Sequence, residues 1–192
     1  MGQSKLLLPW AGGTVIDQVL GVWASSQVER VVIIVRRDDG ELRRACEKWP
    51  VTVVSPKQDP EDMKASLLVG LQWLEEAVGP VGHDACFLSP ADIPGISHYL
   101  IEPLLECYRG GQASTEGDVA QTQVVVPKFG ERAGHPSLFR WDATKQIANL
   151  AEDEGLNRLV DRLQKKYVHF SAEARLTDID TPAEYRKLRS EI

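Results

Sequence analysis

Four stretches of the 192-residue chain carry side chains suited to binding phosphate or a divalent cation. In Met1-Gly-Gln-Ser-Lys5-Leu-Leu-Leu-Pro9, a lysine precedes an apolar run, and Gly13-Thr14 then opens a helix. The same pattern also describes a solvated charge at a frayed terminus. In Phe87-Leu-Ser-Pro-Ala-Asp92-Ile-Pro94, a carboxylate follows an apolar strand and sits between prolines that restrict its backbone. A hard oxygen ligand held in this way suits magnesium, and it equally suits capping the next turn or helix. Gly130-Glu-Arg-Ala-Gly134-His135-Pro136 has the composition of a hairpin-like turn, with His135 available to a substrate. In Leu176-Thr-Asp178-Ile-Asp180-Thr-Pro182, two carboxylates at i and i+2 share one face of an extended chain and can share a cation. Asp180 or Thr181 can instead cap the last helix.

Strands and helices must bring these stretches together. Helical spacing predicts helices over 14–27, 39–48, 63–78, 97–108, 143–151, 156–165 and 181–188. In the third, Met63, Leu67, Leu71 and Leu74 form the apolar stripe. Ser97 and Thr181 are the expected N-caps of their helices, and Pro182 stands at a first helical position. Apolar runs predict strands over 30–35, 51–54, 85–88, 123–127, 136–139 and 167–170, with 30–35 covered on both faces and 85–88 buried. A polar loop is expected over 110–118. This alternation implies a single α/β domain over residues 1–192, with a mostly parallel sheet and helices on both faces. Such sheets bind ligands beyond the carboxyl ends of their strands. Asp92 stands at such a place, and Asp178 and Asp180 follow the last strand.

A net charge of −6 argues against a broad nucleic-acid-binding face. It leaves room for a small nucleotide, which needs only a few basic groups and a metal. Cys46, Cys86 and Cys107 have no zinc-site spacing and read as reduced thiols, which implies a cytoplasmic protein. No apolar run approaches about 18 residues, so no membrane span is expected. The N-terminus lacks the features of a signal peptide.

In order and spacing, these motifs resemble the molybdenum-cofactor nucleotidyltransferase family, and within it the molybdopterin cytidylyltransferase-like branch. The matching runs are M-G-Q-S-K-L-L-L-P at 1–9, S-L-L-V-G-L at 66–71, S-P-A-D-I-P at 89–94, G-H-P at 134–136 and D-I-D-T-P-A-E-Y at 178–185. The resemblance implies a three-layer αβα fold of the nucleotide-diphospho-sugar transferase, Rossmann-like type. It implies a reaction in which a terminal pterin phosphate attacks the α-phosphorus of a nucleoside triphosphate and expels pyrophosphate. Lys5 and Asp92 would then be catalytic, and Asp92, Asp178 and Asp180 would hold Mg2+. Gly2, Lys5, Ser66, Pro90, Gly134 and His135 would contact nucleotide or pterin. The Q-S-K-L-L-L-P run favours CTP over GTP. A homo-oligomer or a molybdoenzyme partner is also implied, with no nucleic acid and no membrane.

The family pattern opens with a strand and a loop of the type L-A-A-G-x-S-x-R-M-G-x-x-K, and Met1 coincides with its M. The expectation is therefore of a chain lacking the first strand and the triphosphate loop, with its start assigned too far downstream. Oxyanion donors of that kind contribute roughly 3 kcal/mol each, so their loss would cripple turnover. Ala11-Gly12-Gly13-Thr14 does not read as a substitute loop, because Pro9 interrupts the strand before it and no basic residue follows closely. Two alternatives stay open: a non-catalytic nucleotide- or pterin-binding or assembly module, and a nucleotidyltransferase for another phosphorylated acceptor.

Overall fold

The computed structural model describes residues 4–113, 122–174 and 178–190. A 3-10 turn at Lys5–Leu7 leads into an antiparallel hairpin of β1 (Pro9–Trp10) and β2 (Gly13–Thr14). Ala11 and Gly12 form its turn with φ of 42° and 86°, the left-handed geometry that two-residue hairpins require. The Ala11–Thr14 stretch thus reverses the chain ahead of helix α1 (Val15–Ala24). Thr14 caps that helix reciprocally. Its Oγ1 accepts from the Asp17 amide at 3.3 Å, and its own amide donates to Asp17 Oδ2 at 3.0 Å. Strand β3 (Val32–Ile34), helix α2 (Gly40–Cys46) and strand β4 (Thr52–Val54) follow, with β4 parallel to β3. Asp39 caps α2 by accepting from the Leu42 amide at 3.0 Å.

Helix α3 (Met63–Ala77), strand β5 (Ala85–Leu88) and helix α4 (His98–Ala113) come next. Then follow β6 (Val124–Phe129), β7 (Arg132–Ala133) and β8 (Ser137–Arg140). A short helix α5 (Trp141–Thr144) passes into a 3-10 turn at Lys145–Asn149, and α6 (Leu156–Arg162) precedes β9 (Lys165–Phe170). Helix α7 (Pro182–Arg189) closes the chain, with Pro182 at its start and Thr181 and Glu184 forming a second reciprocal cap.

Several expectations need correction. Pairing is mixed rather than mostly parallel: β3–β4 and β6–β9 are parallel, while β5–β8, β6–β8 and β6–β7 are antiparallel. The connection from β6 to β8 is too short for a crossover helix, so β8 must return antiparallel. Met63 is 60% exposed, so the apolar stripe of α3 starts only at Leu67. In β5 only Leu88 is buried and Ala85 is exposed; around β3 only Ile33 and Val35 are buried. Residues 110–113, expected in a loop, continue α4, and 114–118 lie outside the described residues.

The described residues fall into two compact units. The first comprises 4–59, 90–98 and 178–190, and the second 60–89, 99–113 and 122–174. In the first, Ile16 and Leu20 of α1 pack on Ile33, Val35 and the α2 residues Leu42, Ala45 and Cys46. A smaller cluster joins Trp10, Val15 and Ile179, with Tyr185 and Leu188 of α7 against it. In the second, β8, β6 and β9 lie side by side, with β5 on the far edge of β8. Its core gathers Leu71, Leu88, Val124, Val126, Phe139, Trp141, Ile147 and Leu159. Among the described residues, no helix is long and apolar enough to cross a membrane.

Candidate functional site

Apolar neighbours place each member of the first unit's polar cluster. Lys5 opens the 3-10 turn whose next residues, Leu6 and Leu7, pack against the α1–α2 core. Asp92 follows β5, and the residues after it, Ile93 and Ile96, are each 2% exposed and anchor the segment. Ile179 is also buried, between Trp10 and Val15. In an extended stretch, burying Ile179 turns its neighbours Asp178 and Asp180 away from that core. A backbone bond then fixes the register of the two segments: the Ile179 amide donates to the Asp92 carbonyl at 3.1 Å.

The side chains converge on one nitrogen. Lys5 Nζ lies 2.5 Å from Asp92 Oδ2 and 2.9 Å from Asp180 Oδ1. The two carboxylate oxygens are therefore less than twice the longer distance apart. Asp92 is sheltered at 17% side-chain exposure, whereas Asp180 is open at 65%. The backbone under Asp180 is held by Glu184, which accepts from the Asp180 and Thr181 amides at 3.2 and 2.8 Å. Partial burial pulls the Lys5 ammonium down, but the hydrogen bonds and charges of Asp92 and Asp180 outweigh it and raise its pKa above the ordinary lysine value. One positive charge faces two negative ones, so the cluster keeps a net negative charge.

That arrangement fits magnesium. Mg2+ takes oxygen ligands, and it is held by one or two carboxylates with water and substrate phosphates completing its shell. Two carboxylates already drawn onto one cationic atom meet that requirement. Among the described residues, no group of three His, Cys, Asp or Glu side chains is arranged to hold a metal alone.

The other sequence candidates lie elsewhere or beyond description. Gly2 is outside the described residues. Pro90 stands two residues before Asp92, in the first unit. Ser66, Gly134 and His135 belong to the second unit. Ser66 lies in the first turn of α3, where its hydroxyl donates back to the Asp62 carbonyl at 3.1 Å. Gly134 returns from β7 toward β8, and its amide donates to the Pro127 carbonyl at 3.0 Å. A Cβ on Gly134 would stand 2.7 Å from a ring carbon of Phe129. That ring cannot easily yield, because Phe129 is 3% exposed and stacks on Phe170 at 5.5 Å. Gly134→Ala is expected to destabilise the protein by about 1–3 kcal/mol, read as a lower urea midpoint. An unchanged midpoint would mean that the ring moves aside.

Sequence reasoning missed the environment of Asp17, which also accepts from Trp49 Nε1 at 3.0 Å. Partial burial raises the Asp17 pKa, but the bonds from Thr14 and Trp49 prevail and hold it below the usual carboxylate value. This carboxylate ties α1 to the stretch after α2, a structural task. Burial, with the charge of Asp17 behind it, pushes the Cys46 thiol up to about 11, so it is no nucleophile at neutral pH. A cleft of about 440 Å³ beside α6 is lined by Asp153, Glu154, Arg158, Asp161 and Arg162. Glu154 and Arg162 there pair with each other, and the cleft contains none of the residues predicted from sequence.

Residues 1–167 match the model of the MobA-like NTP transferase domain. A probable molybdenum cofactor guanylyltransferase from Bacillus thuringiensis is 30% identical over 171 residues, covering 87% of this chain and 76% of that protein. Among solved structures, Rv0371c from Mycobacterium tuberculosis superposes with a TM-score of 0.76 at 22% identity, over 100% of this chain and 92% of that one. A nucleotidyl transferase from Methanothermobacter gives a TM-score of 0.75 at 23% identity, over 97% of this chain and 84% of that one. At those identities the structural matches show the fold alone, an α/β nucleotidyltransferase fold of the Rossmann-like type. The family model spans most of the chain, and on that ground the chain belongs to the MobA-like NTP transferase domain family.

Proposed function

We propose that this protein transfers CMP from CTP to the terminal phosphate of a molybdopterin and releases pyrophosphate. The observation that carries the reading is the convergence of Lys5, Asp92 and Asp180 from three distant stretches of chain on a single point. A pterin phosphate is already an anion, so the reaction needs no strong general base. Its oxygen forms a bond to the α-phosphorus while the bond from that phosphorus to the bridging oxygen of the β-phosphate breaks. The work left to the protein is alignment and charge neutralisation. Asp92 and Asp180 would hold magnesium; Asp178, expected from the sequence as a further ligand, does not join them in a three-carboxylate group. When bound, the ion neutralises charge on the triphosphate and on the departing pyrophosphate. Lys5 adds a positive charge for phosphate oxygens.

Gly2, Pro90, Ser66 and the Gly134–His135 loop are proposed contacts for nucleotide or pterin on the strength of the family resemblance. A cytoplasmic setting belongs to the same proposal and is supported by the free thiols of Cys46, Cys86 and Cys107.

Two readings compete on base choice. The Gln3-Ser4-Lys5 run favours CTP, whereas the name of the Bacillus relative favours GTP. Pyrophosphate release measured with each of the four triphosphates, molybdopterin and Mg2+ separates them. CTP is expected to turn over fastest, and GTP turning over fastest would make the protein a guanylyltransferase. If no triphosphate releases pyrophosphate, the transferase reading falls and a nucleotide- or pterin-binding module takes its place.

A further inference from the structure

Resting on that reading, we infer that Lys5 has two positions, and that in the ligand-free protein its ammonium occupies the place a divalent cation takes during reaction. Nζ sits between Asp92 Oδ2 and Asp180 Oδ1 at 2.5 and 2.9 Å. An ion bound to both oxygens at about 2.1 Å must lie between them, in or beside the volume the ammonium fills. Lysine and metal therefore compete for one space. They also compete electrostatically, since a divalent ion beside an ammonium adds like-charge repulsion.

The displaced lysine has somewhere to go. Its side chain is a flexible four-carbon stem, and Lys5 is about one-third exposed, so the ammonium can leave without unfolding its turn. The turn itself is fixed by Leu6 and Leu7 in the core, which confines the movement to the side chain. Arrival of a metal–triphosphate thus releases a cation at the moment when phosphate oxygens need one. In its absence the same cation holds the Asp92 segment and the tail together and offsets their repulsion. Lys5 is in this view a counter-ion that is exchanged during catalysis.

Metal binding without nucleotide tests the exchange independently of turnover. Titration with Mn2+, followed by the loss of the free-ion paramagnetic resonance signal, is expected to show Lys5→Met binding about tenfold more tightly than the unmutated protein, the size of an ordinary coupling between sites. Equal or weaker binding by Lys5→Met, or no binding by either protein, would overturn the inference. A second measurement needs no variant. Acylation of Lys5 by an amine-directed reagent, read by mass spectrometry, should rise several-fold when Mg2+ is added, because the ammonium is freed from its carboxylates. Labelling that does not change with Mg2+ would equally overturn it. Failure of both measurements alongside normal pyrophosphate release would sink the exchange and leave the transferase reading standing. Success of both without any pyrophosphate release would do the reverse.

Discussion

Asp92→Asn is expected to lower kcat for pyrophosphate release by about 10²–10³-fold, the usual cost of removing one charge-stabilising group from a pre-organised site. The substitution preserves the shape of the side chain and removes only its charge. It also preserves the backbone carbonyl that receives the Ile179 amide, so the docking of the tail is retained. Ile93 and Ile96 still anchor the segment from within. Lys5 keeps Asp180 as a partner, and the thermal midpoint should move by no more than a few degrees. Asp92 is the more sheltered of the two carboxylates, and a charge interaction there is less screened by water than at Asp180. The measurement is steady-state pyrophosphate release under saturating Mg2+, beside a thermal melt of both proteins. Turnover within a few-fold of the unmutated protein would remove Asp92 from the chemistry. A collapse of the thermal midpoint would instead assign it to the fold.

Much of the local structure could be read directly from residue types. Thr181, Pro182 and Glu184 announce the start of α7 because a cap is a short-range transaction among three neighbours, and the structure shows that cap. Thr14 and Asp17 do the same for α1. Pro9 and the lack of a nearby basic residue ruled out Ala11–Thr14 as a phosphate loop, and the stretch forms a hairpin turn. Strand direction was less legible. The apolar run of β8 looks the same whether the chain arrives by a crossover or by a tight return, and only the short link from β6 decides it. Exposure failed where an element outruns its core, as at Met63 and Ala85. The meeting of Lys5 with Asp180, 175 positions apart, is not written in any local pattern. Family resemblance pointed to it, and the buried Ile179 between two aspartates supplies the physical reason. The contact of Trp49 with Asp17 left no sequence signal, since an indole donor and a helical carboxylate have no fixed spacing.

Phe139→Ala is expected to destabilise the second unit by about 3–5 kcal/mol. Phe139 stands in the middle of β8, opposite Cys86 of β5 on one side and Val124 of β6 on the other. It is 1% exposed and belongs to the core that gathers Leu88, Val126, Trp141, Ile147 and Leu159 from five different elements. Removing the ring deletes a large apolar transfer term and opens a cavity that so many separately tethered neighbours cannot close together. Net stabilities of domains run to about 5–15 kcal/mol, so this one change takes a large share of the total. Urea unfolding should show a lower midpoint with an unchanged slope, because the surface exposed on unfolding hardly differs. Phe139→Leu, which keeps most of the volume, should fall well short of that loss. If alanine cost less than about 1 kcal/mol, the ring would not be the centre of this core. The position of β8 between β5 and β6 would then have to be held by its backbone pairing alone.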